Sequence, residues 1–216
     1  MYLLIVGAGK IGEKLIELAL QNKDDVVVIE KEKEKCEEIS KKYDVIVINA
    51  DATLKETLIE AGADSANAIL TTADDATNLL VISLAKSLGI PLLVSVVNEE
   101  ENRAMFIEKG VNIVENPSLI TAEHLYRAIR HPLVKEYINL GDKMEIFKIG
   151  IQENSKMVGR KVEDARLPKM VTLIAIERGE QVIIPLPDTS FEAGDLITFL
   201  ARKDKIDDVM KIFLKE

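Results

Sequence analysis

The sequence predicts an α/β protein: a doubly wound parallel sheet followed by a second, smaller α+β domain. Three observations predict it. Short Val- and Ile-rich runs alternate with helical patterns over residues 1–132. The first run passes straight into Gly-x-Gly-x-x-Gly and a helix, in "YLLIVGAGKIGEKLIELAL". Beyond Pro132 the spacing changes to closely set, hairpin-like strands.

In chain order, the apolar runs of the first part are residues 2–6, 26–29, 45–48, 68–70, 92–96 and 113–114. Helical patterns lie between them at 10–21, 31–42, 54–61, 74–88 and 99–109, and a last helix follows at 118–130. Runs this short and apolar are strands buried on both faces, and a helix after each one implies parallel pairing. Six such units build a doubly wound sheet, here spanning 1–132. Pro132 ends the last helix, Gly141-Asp142 marks a turn, and residues 133–143 read as a linker. The second domain, 144–216, reads as strands in "MEIFKIGI", "VTLIAIER", "QVIIPL" and "DLITFLA". "RGEQ" reads as a tight turn, "PLPDTSFEAGD" as a loop, and 204–214 as a closing helix.

Composition narrows the function. Of 216 residues, 47% are hydrophobic, enough for two cores. No apolar run reaches the roughly 18 residues of a membrane span. Residues 2–6 are too few for the apolar core of a secretion signal, and they lead into glycines where a cleavage site would stand. A single cysteine, Cys36, cannot form an internal disulfide, which fits a reducing cytoplasm. The net charge of -9 excludes the basic footprint of a nucleic-acid binder and argues against direct binding to anionic lipid.

The glycine loop is the strongest chemical signal because its context is complete: a strand before, a helix after, and an acid closing the next strand. In a Rossmann site of this kind Gly7 permits the tight turn, Gly9 lets a pyrophosphate approach the backbone, and Gly12 lets the helix pack close on the sheet. The loop from Gly7 through Ala8, Gly9, Lys10 and Ile11 to Gly12 then presents N–H groups and a helix dipole to an anion. Glu30 ends the second strand, 18 residues past Gly12. Its carboxylate suits both ribose hydroxyls of an adenosine and would repel a 2′-phosphate, disfavouring NADP; the competing reading is a solvated acid in "EKEKEKCEE". Lys10 opposes the helix dipole unless a phosphate reverses the local sign; otherwise its chain swings into water.

A sheet ordered 3-2-1-4-5-6 places its crevice between strands 1 and 4. Thr72 and Ala73 should line it, with Asp74 or Asp75 capping the next helix. Asp51 and Ala52, in "NADAT", end strand 3 on the adenine side; Asp51 contacts adenine or ribose, or caps the helix after it. Asn98 follows strand 5 within reach of the site. Arg103, on the next helix, meets a phosphate or a neighbouring subunit. His124 and His131 lack the companions of a metal site and read as structural, and Cys36 has no activating base.

These residues resemble a known family. "IVGAGKIG", "VVVIEKE", "INADAT", "ADSANAILTTADDATNLL" and "VNEEENRAMFIEKGV" look like the potassium-transport nucleotide-binding domain, the regulator of potassium conductance. "NSKMVGRKVEDARLP" and the stretch from "VTLIAIERGEQ" to "AGDLITFLA" look like the small ligand-binding domain that follows it in Trk-type (TrkA) regulators. The family often has Arg at Lys10, Asp at Glu30 and Gly at Ala50. The resemblance implies a cytoplasmic regulatory subunit at the inner face of the membrane. It would bind NAD(H), or ATP/ADP instead, gate a membrane potassium transporter and assemble as a homodimer or higher ring. No catalytic residue follows from the pattern; the rival reading is a small NAD-dependent dehydrogenase.

Overall fold

The computed structural model describes residues 1–141 and 143–213. They divide into two units, the first Met1–Thr121 and the second beginning at Ala122.

The first unit follows the predicted alternation: β1 (Tyr2–Val6), α1 (Lys10–Gln21), β2 (Asp25–Glu30), α2 (Lys33–Lys42), β3 (Ile46–Asn49), α3 (Lys55–Glu60), β4 (Ala68–Thr71), α4 (Asp75–Ser87), β5 (Leu92–Val96), α5 (Arg103–Lys109) and β6 (Ile113–Glu115). The sheet is parallel, in the order β3-β2-β1-β4-β5-β6. Period-2 alternation sends Leu4 and Val6 of β1 to a core with Leu58, Ile69, Val81, Ile82 and Phe106. Ile5 goes to the opposite face, onto Ile16, Val28 and Ile39. Burial on both faces is why these strands read as continuous apolar runs. Strand order reverses between β1 and β4, so the loops after them splay apart there and leave the crevice.

Helix α6 (Pro117–Arg130) spans the division between the units and buries none of its own residues. In the second unit, β7 (Val134–Leu140), β8 (Met144–Gly150), β9 (Val171–Arg178), β10 (Gln181–Ile183) and β11 (Leu196–Arg202) form an antiparallel sheet, order β10-β9-β11-β8-β7, closed by α7 (Ile206–Phe213). Its core holds Phe147, Phe191, Phe199 and Phe213 among aliphatic side chains. Phe199 stacks on Phe147 with centroids 5.4 Å apart and meets Phe213 edge-on at 5.1 Å.

Two expectations are corrected. The stretch read as a linker, 133–143, holds β7, which pairs antiparallel with β8. Its signal is masked because it is an edge strand: only Val134 is buried, and Lys135 and Glu136 break the alternation. Strand β10 is shorter than "QVIIPL" suggests, because Pro185 has no N–H to donate. Asp142 of the expected turn and Leu214 of the expected closing helix lie outside the described residues.

Two buried carboxylates anchor the second unit. Glu145 accepts from Arg127 Nη1 at 2.6 Å, tying the end of α6 to β8. Burial raises its carboxyl above the usual range, against the pull of Arg127 and Lys203. Asp195, fully buried, takes Arg178 Nε on Oδ1 (2.8 Å), and Arg178 Nη2 (2.9 Å) and Glu192 N–H (2.8 Å) on Oδ2. Such a fork adds geometric specificity to charge. Removing one partner strands the other's charge, so Arg178→Met should cost about 3–5 kcal/mol in denaturant unfolding of the second unit; a loss under about 1 kcal/mol would show that the pair holds nothing.

Candidate functional site

The site is built on the turn between β1 and α1. Gly7 has φ +94°, a conformation that side chains rarely adopt. A Cβ there would lie 2.8 Å from Thr72 Oγ1. A Cβ on Gly12 would lie 1.9 Å from the Gly7 carbonyl oxygen, so α1 sits against its own entry loop with no room for a methyl group. Thr72 Oγ1 donates to the carbonyls of Val6 and Gly7, both at 3.1 Å, and its N–H to Val6 O at 2.9 Å. These bonds lock the loop after β1 to the loop after β4. Gly9 is different: a Cβ there would meet nothing within 4 Å. It is the N-cap of α1, and no side chain caps that end. The first-turn N–H groups therefore face open space, the arrangement a diphosphate requires.

Glu30 closes β2 beside this loop. Its Oε2 accepts from Ala8 N–H at 2.7 Å and its Oε1 from Glu32 N–H at 2.8 Å. Each carboxylate oxygen keeps a further lone pair for a ligand hydroxyl. The Glu30 backbone is clamped as well: its carbonyl receives Ala50 N–H (3.1 Å), Asn49 Nδ2 (3.0 Å) and Cys36 Sγ (3.3 Å). Burial, ahead of any other influence, raises the Cys36 thiol, so it stays protonated and donates.

A cleft of about 330 Å³ opens over these groups, within the range of small-molecule sites. Of the expected residues, Gly7, Gly9, Glu30, Asp51, Ala52, Thr72 and Ala73 line it. Asp51 is engaged locally: Oδ1 accepts from Thr53 Oγ1 (2.6 Å) and Thr53 N–H (2.9 Å), and Oδ2 from Lys31 (3.2 Å). The Thr53 hydroxyl and amide, then Lys31, hold its carboxyl down at about 2. Asp51 thus shapes the turn before α3, whose N-cap is Leu54.

The other expected residues stand outside the lining. Ala8 is buried and contributes its N–H to Glu30; Lys10 and Ile11 are exposed on the first turn of α1; Gly12 is the packing contact. Asn98 does not reach the cleft: its Nδ2 donates to Ala73 O (3.0 Å) and to Asp75 Oδ1 (3.0 Å), buttressing the loop after β4 from behind. Arg103 is turned away, bound to Glu100 and the Val114 carbonyl. Both follow β5, one strand beyond β4 in the sheet.

Asp74 caps α4 through Thr77 N–H, as expected. Sequence reasoning missed Lys31, Glu32, Lys35, Thr53 and Thr77 in the lining. It also missed Asn78, fully buried, whose amide accepts from Ala73 N–H (3.0 Å) and donates to Ala73 O (2.9 Å) and Val96 O (3.2 Å). A polar residue on the buried face of a helix was its only signal. Among the described residues no group of three or more His, Cys, Asp and Glu could hold a metal ion, and no helix is long and apolar enough to cross a membrane.

Comparison with known proteins adds relatives. Residues 3–117 match the TrkA-N domain and residues 146–214 the TrkA-C domain. A Trk system potassium uptake protein TrkA homolog from Methanothermobacter thermautotrophicus is 30% identical over 215 residues, 99% of this chain and 99% of its own. A TrkA homolog from Archaeoglobus fulgidus is 30% identical over 97% of this chain, which spans only 48% of that longer protein. Among solved structures, the GsuK channel bound to NAD superposes with a TM-score of 0.70 at 16% identity, over 99% of this chain and 39% of the channel chain; at that identity the likeness concerns the fold.

The glycines separate by substitution. Gly12→Ala forces apart α1 and the Gly7 carbonyl and should cost about 1–3 kcal/mol. Gly9→Ala adds its methyl to open space, at φ -71°, and should melt within about 0.5 kcal/mol of the parent. Equal melting temperatures for the two variants would refute the division of roles.

Proposed function

The chain belongs to the TrkA family of potassium-uptake proteins, and from that membership we propose that it is a cytoplasmic regulatory subunit that binds NAD(H) and gates a membrane potassium transporter. One observation carries the ligand reading: an open helix N-terminus at Gly9 and a carboxylate, Glu30, hydrogen-bonded to the same loop. A diphosphate sits on the N–H groups at the N-terminus of α1, from Gly9 to Gly12, within reach of Lys10. The adenosine ribose lies on Glu30, the adenine beside Asp51 and Ala52, and the rest of the ligand runs toward Thr72 and Ala73. Asn98 supports the Ala73 side from behind, and Arg103 is left to an interface with another subunit. ATP or ADP is the second reading, since the adenosine and its diphosphate meet the same groups.

A regulatory role requires that the ligand bind two arrangements of the assembly unequally. The exposed apolar residues of α6, among them Leu125, Tyr126 and Ile129, offer a contact for a second copy, so a homodimer or larger ring is part of the proposal. The subunit is peripheral at the inner face of the membrane, reached through the transporter. No catalytic role is part of the proposal: hydride transfer needs a proton donor or acceptor beside the nicotinamide, and the Asp74 carboxylate on that side of the cleft is bonded to the Thr77 hydroxyl and N–H.

At about a hundred times its dissociation constant, NADH should add about 2.7 kcal/mol of stability. NADPH should add less, because its 2′-phosphate meets Glu30. Equal shifts from NADH and NADPH would sink the role of Glu30, and a Gly9→Val variant that is folded yet binds NADH normally by calorimetry would sink the diphosphate seat.

Regulation is tested in reconstituted vesicles with the cognate transporter, where potassium flux should change when NAD+ is exchanged for NADH or an adenine nucleotide. The purified chain should show no hydride transfer with hydroxy acids, aldehydes or ketones. Turnover near 1 per second, or flux indifferent to every nucleotide, would overturn the regulatory reading.

A further inference from the structure

The charges lining the cleft are unevenly placed. On the β2 and β3 side stand Glu30, Glu32 and Asp51 with Lys31 and Lys35. Both lysines are paired, Lys31 with Asp51 at 3.2 Å and Lys35 with Glu32 at 2.7 Å. On the β4 side the lining residues are Thr72, Ala73, Asp74 and Thr77, and the single charge among them is the Asp74 carboxylate.

Asp74 is held in place. Its Oδ2 accepts from Thr77 Oγ1 at 2.6 Å and its Oδ1 from Thr77 N–H at 3.0 Å. These bonds keep its carboxyl below the ordinary range, so it is ionised at neutral pH. The end of α4 would otherwise attract an anion. It already carries a second carboxylate, Asp75, which accepts from Asn98 N–H (2.7 Å), Glu99 N–H (3.1 Å) and Asn102 Nδ2 (2.8 Å). Burial pushes Asp75 up, but these bonds outweigh it and leave the group below its usual value. The dipole of α4 is thereby answered from within the protein.

A nucleotide whose ribose lies on Glu30 and whose diphosphate lies on α1 sends whatever follows the diphosphate toward β4. We propose that Asp74 makes the cleft selective against a third phosphate, so that it takes nicotinamide dinucleotides and ADP and disfavours ATP free of divalent cations. This rests on the nucleotide reading above. In NAD+ or NADH the group beyond the diphosphate is a ribose with a cationic or neutral ring, which a fixed carboxylate attracts or tolerates. In ATP it is an anion brought against a fixed anion with no lining cation on that side. Lys10, exposed on the first turn of α1, would serve the phosphates common to ADP and ATP and so does not discriminate between them. The penalty is electrostatic and shrinks as salt rises.

Calorimetry on the full chain in EDTA, with NAD+, NADH, ADP and ATP, tests the assignment. ATP should bind about tenfold more weakly than ADP, the factor that about 1.4 kcal/mol of repulsion produces. Asp74→Asn and Asp74→Ser both retain a capping side chain, so both should fold, as thermal melts would verify. In each the ratio of ADP to ATP affinity should fall to within about threefold. ATP binding as tightly as ADP in the parent would overturn the selectivity while leaving the nucleotide reading standing. A gap that persists in both folded variants would overturn the role of Asp74. Failure of all four ligands to bind would overturn the nucleotide reading and this inference with it.

Discussion

The contact on which the first unit depends is the approach of Gly12 to the Gly7 carbonyl, with the Thr72 hydroxyl bonded to Val6 and Gly7 beside it. It fixes three things together: the angle at which α1 leaves β1, the spacing of the β1 and β4 loops, and the direction of the α1 N-terminus. With no Cβ at Gly12 the helix lies close enough for its first N–H groups to look into the crevice. The hydroxyl of Thr72 then bonds the Gly7 carbonyl and joins its own N–H on the Val6 carbonyl. The cleft is thus a product of backbone packing, and its side chains were added to a shape already set.

Around that contact the polar residues fall into two groups. Some shape the loops from behind: Asn49 and Cys36 clamp the end of β2, Asn78 and Asn98 hold Ala73, and Asp51 makes the turn before α3 with Thr53. Amides suit this work because each can both donate and accept, meeting strand-end N–H and C=O groups without adding a charge. Others face the space itself: Glu30 on one side and Asp74 on the other. The lining lysines are both paired, Lys31 with Asp51 and Lys35 with Glu32, and no side chain caps the N-terminus of α1 beside them.

The second unit follows a different logic. Its strands are antiparallel, phenylalanines stack within its core, and two buried carboxylates are paired with arginines, Glu145 with Arg127 and Asp195 with Arg178. Such pairs add little net stability over apolar substitutes, but they specify one arrangement, because either charge left alone is costly.

Much of this was legible in the sequence because its causes are local. A buried parallel strand must be apolar along its length, and a helix after each strand dictates the doubly wound order; β1 and β5 and helix α1 fall at the limits the residues suggest. Gly7, Gly9, Gly12 and Glu30 could be placed from spacing alone, since only helix α1 and strand β2 separate the loop from Glu30. The family resemblance, too, lies in the chain itself. What tertiary structure decided depends on partners distant in sequence. Strand β7 exists because β8 offers its edge, which no pattern in "VKEYINL" announces. Asn98 and Arg103 are held away from the cleft by Asp75, Glu100 and Val114, and Asn78 became a clamp because Ala73 and Val96 converge on it. Periodicity reports which face of an element is buried; it says nothing of which polar atom, many residues away, will be waiting there.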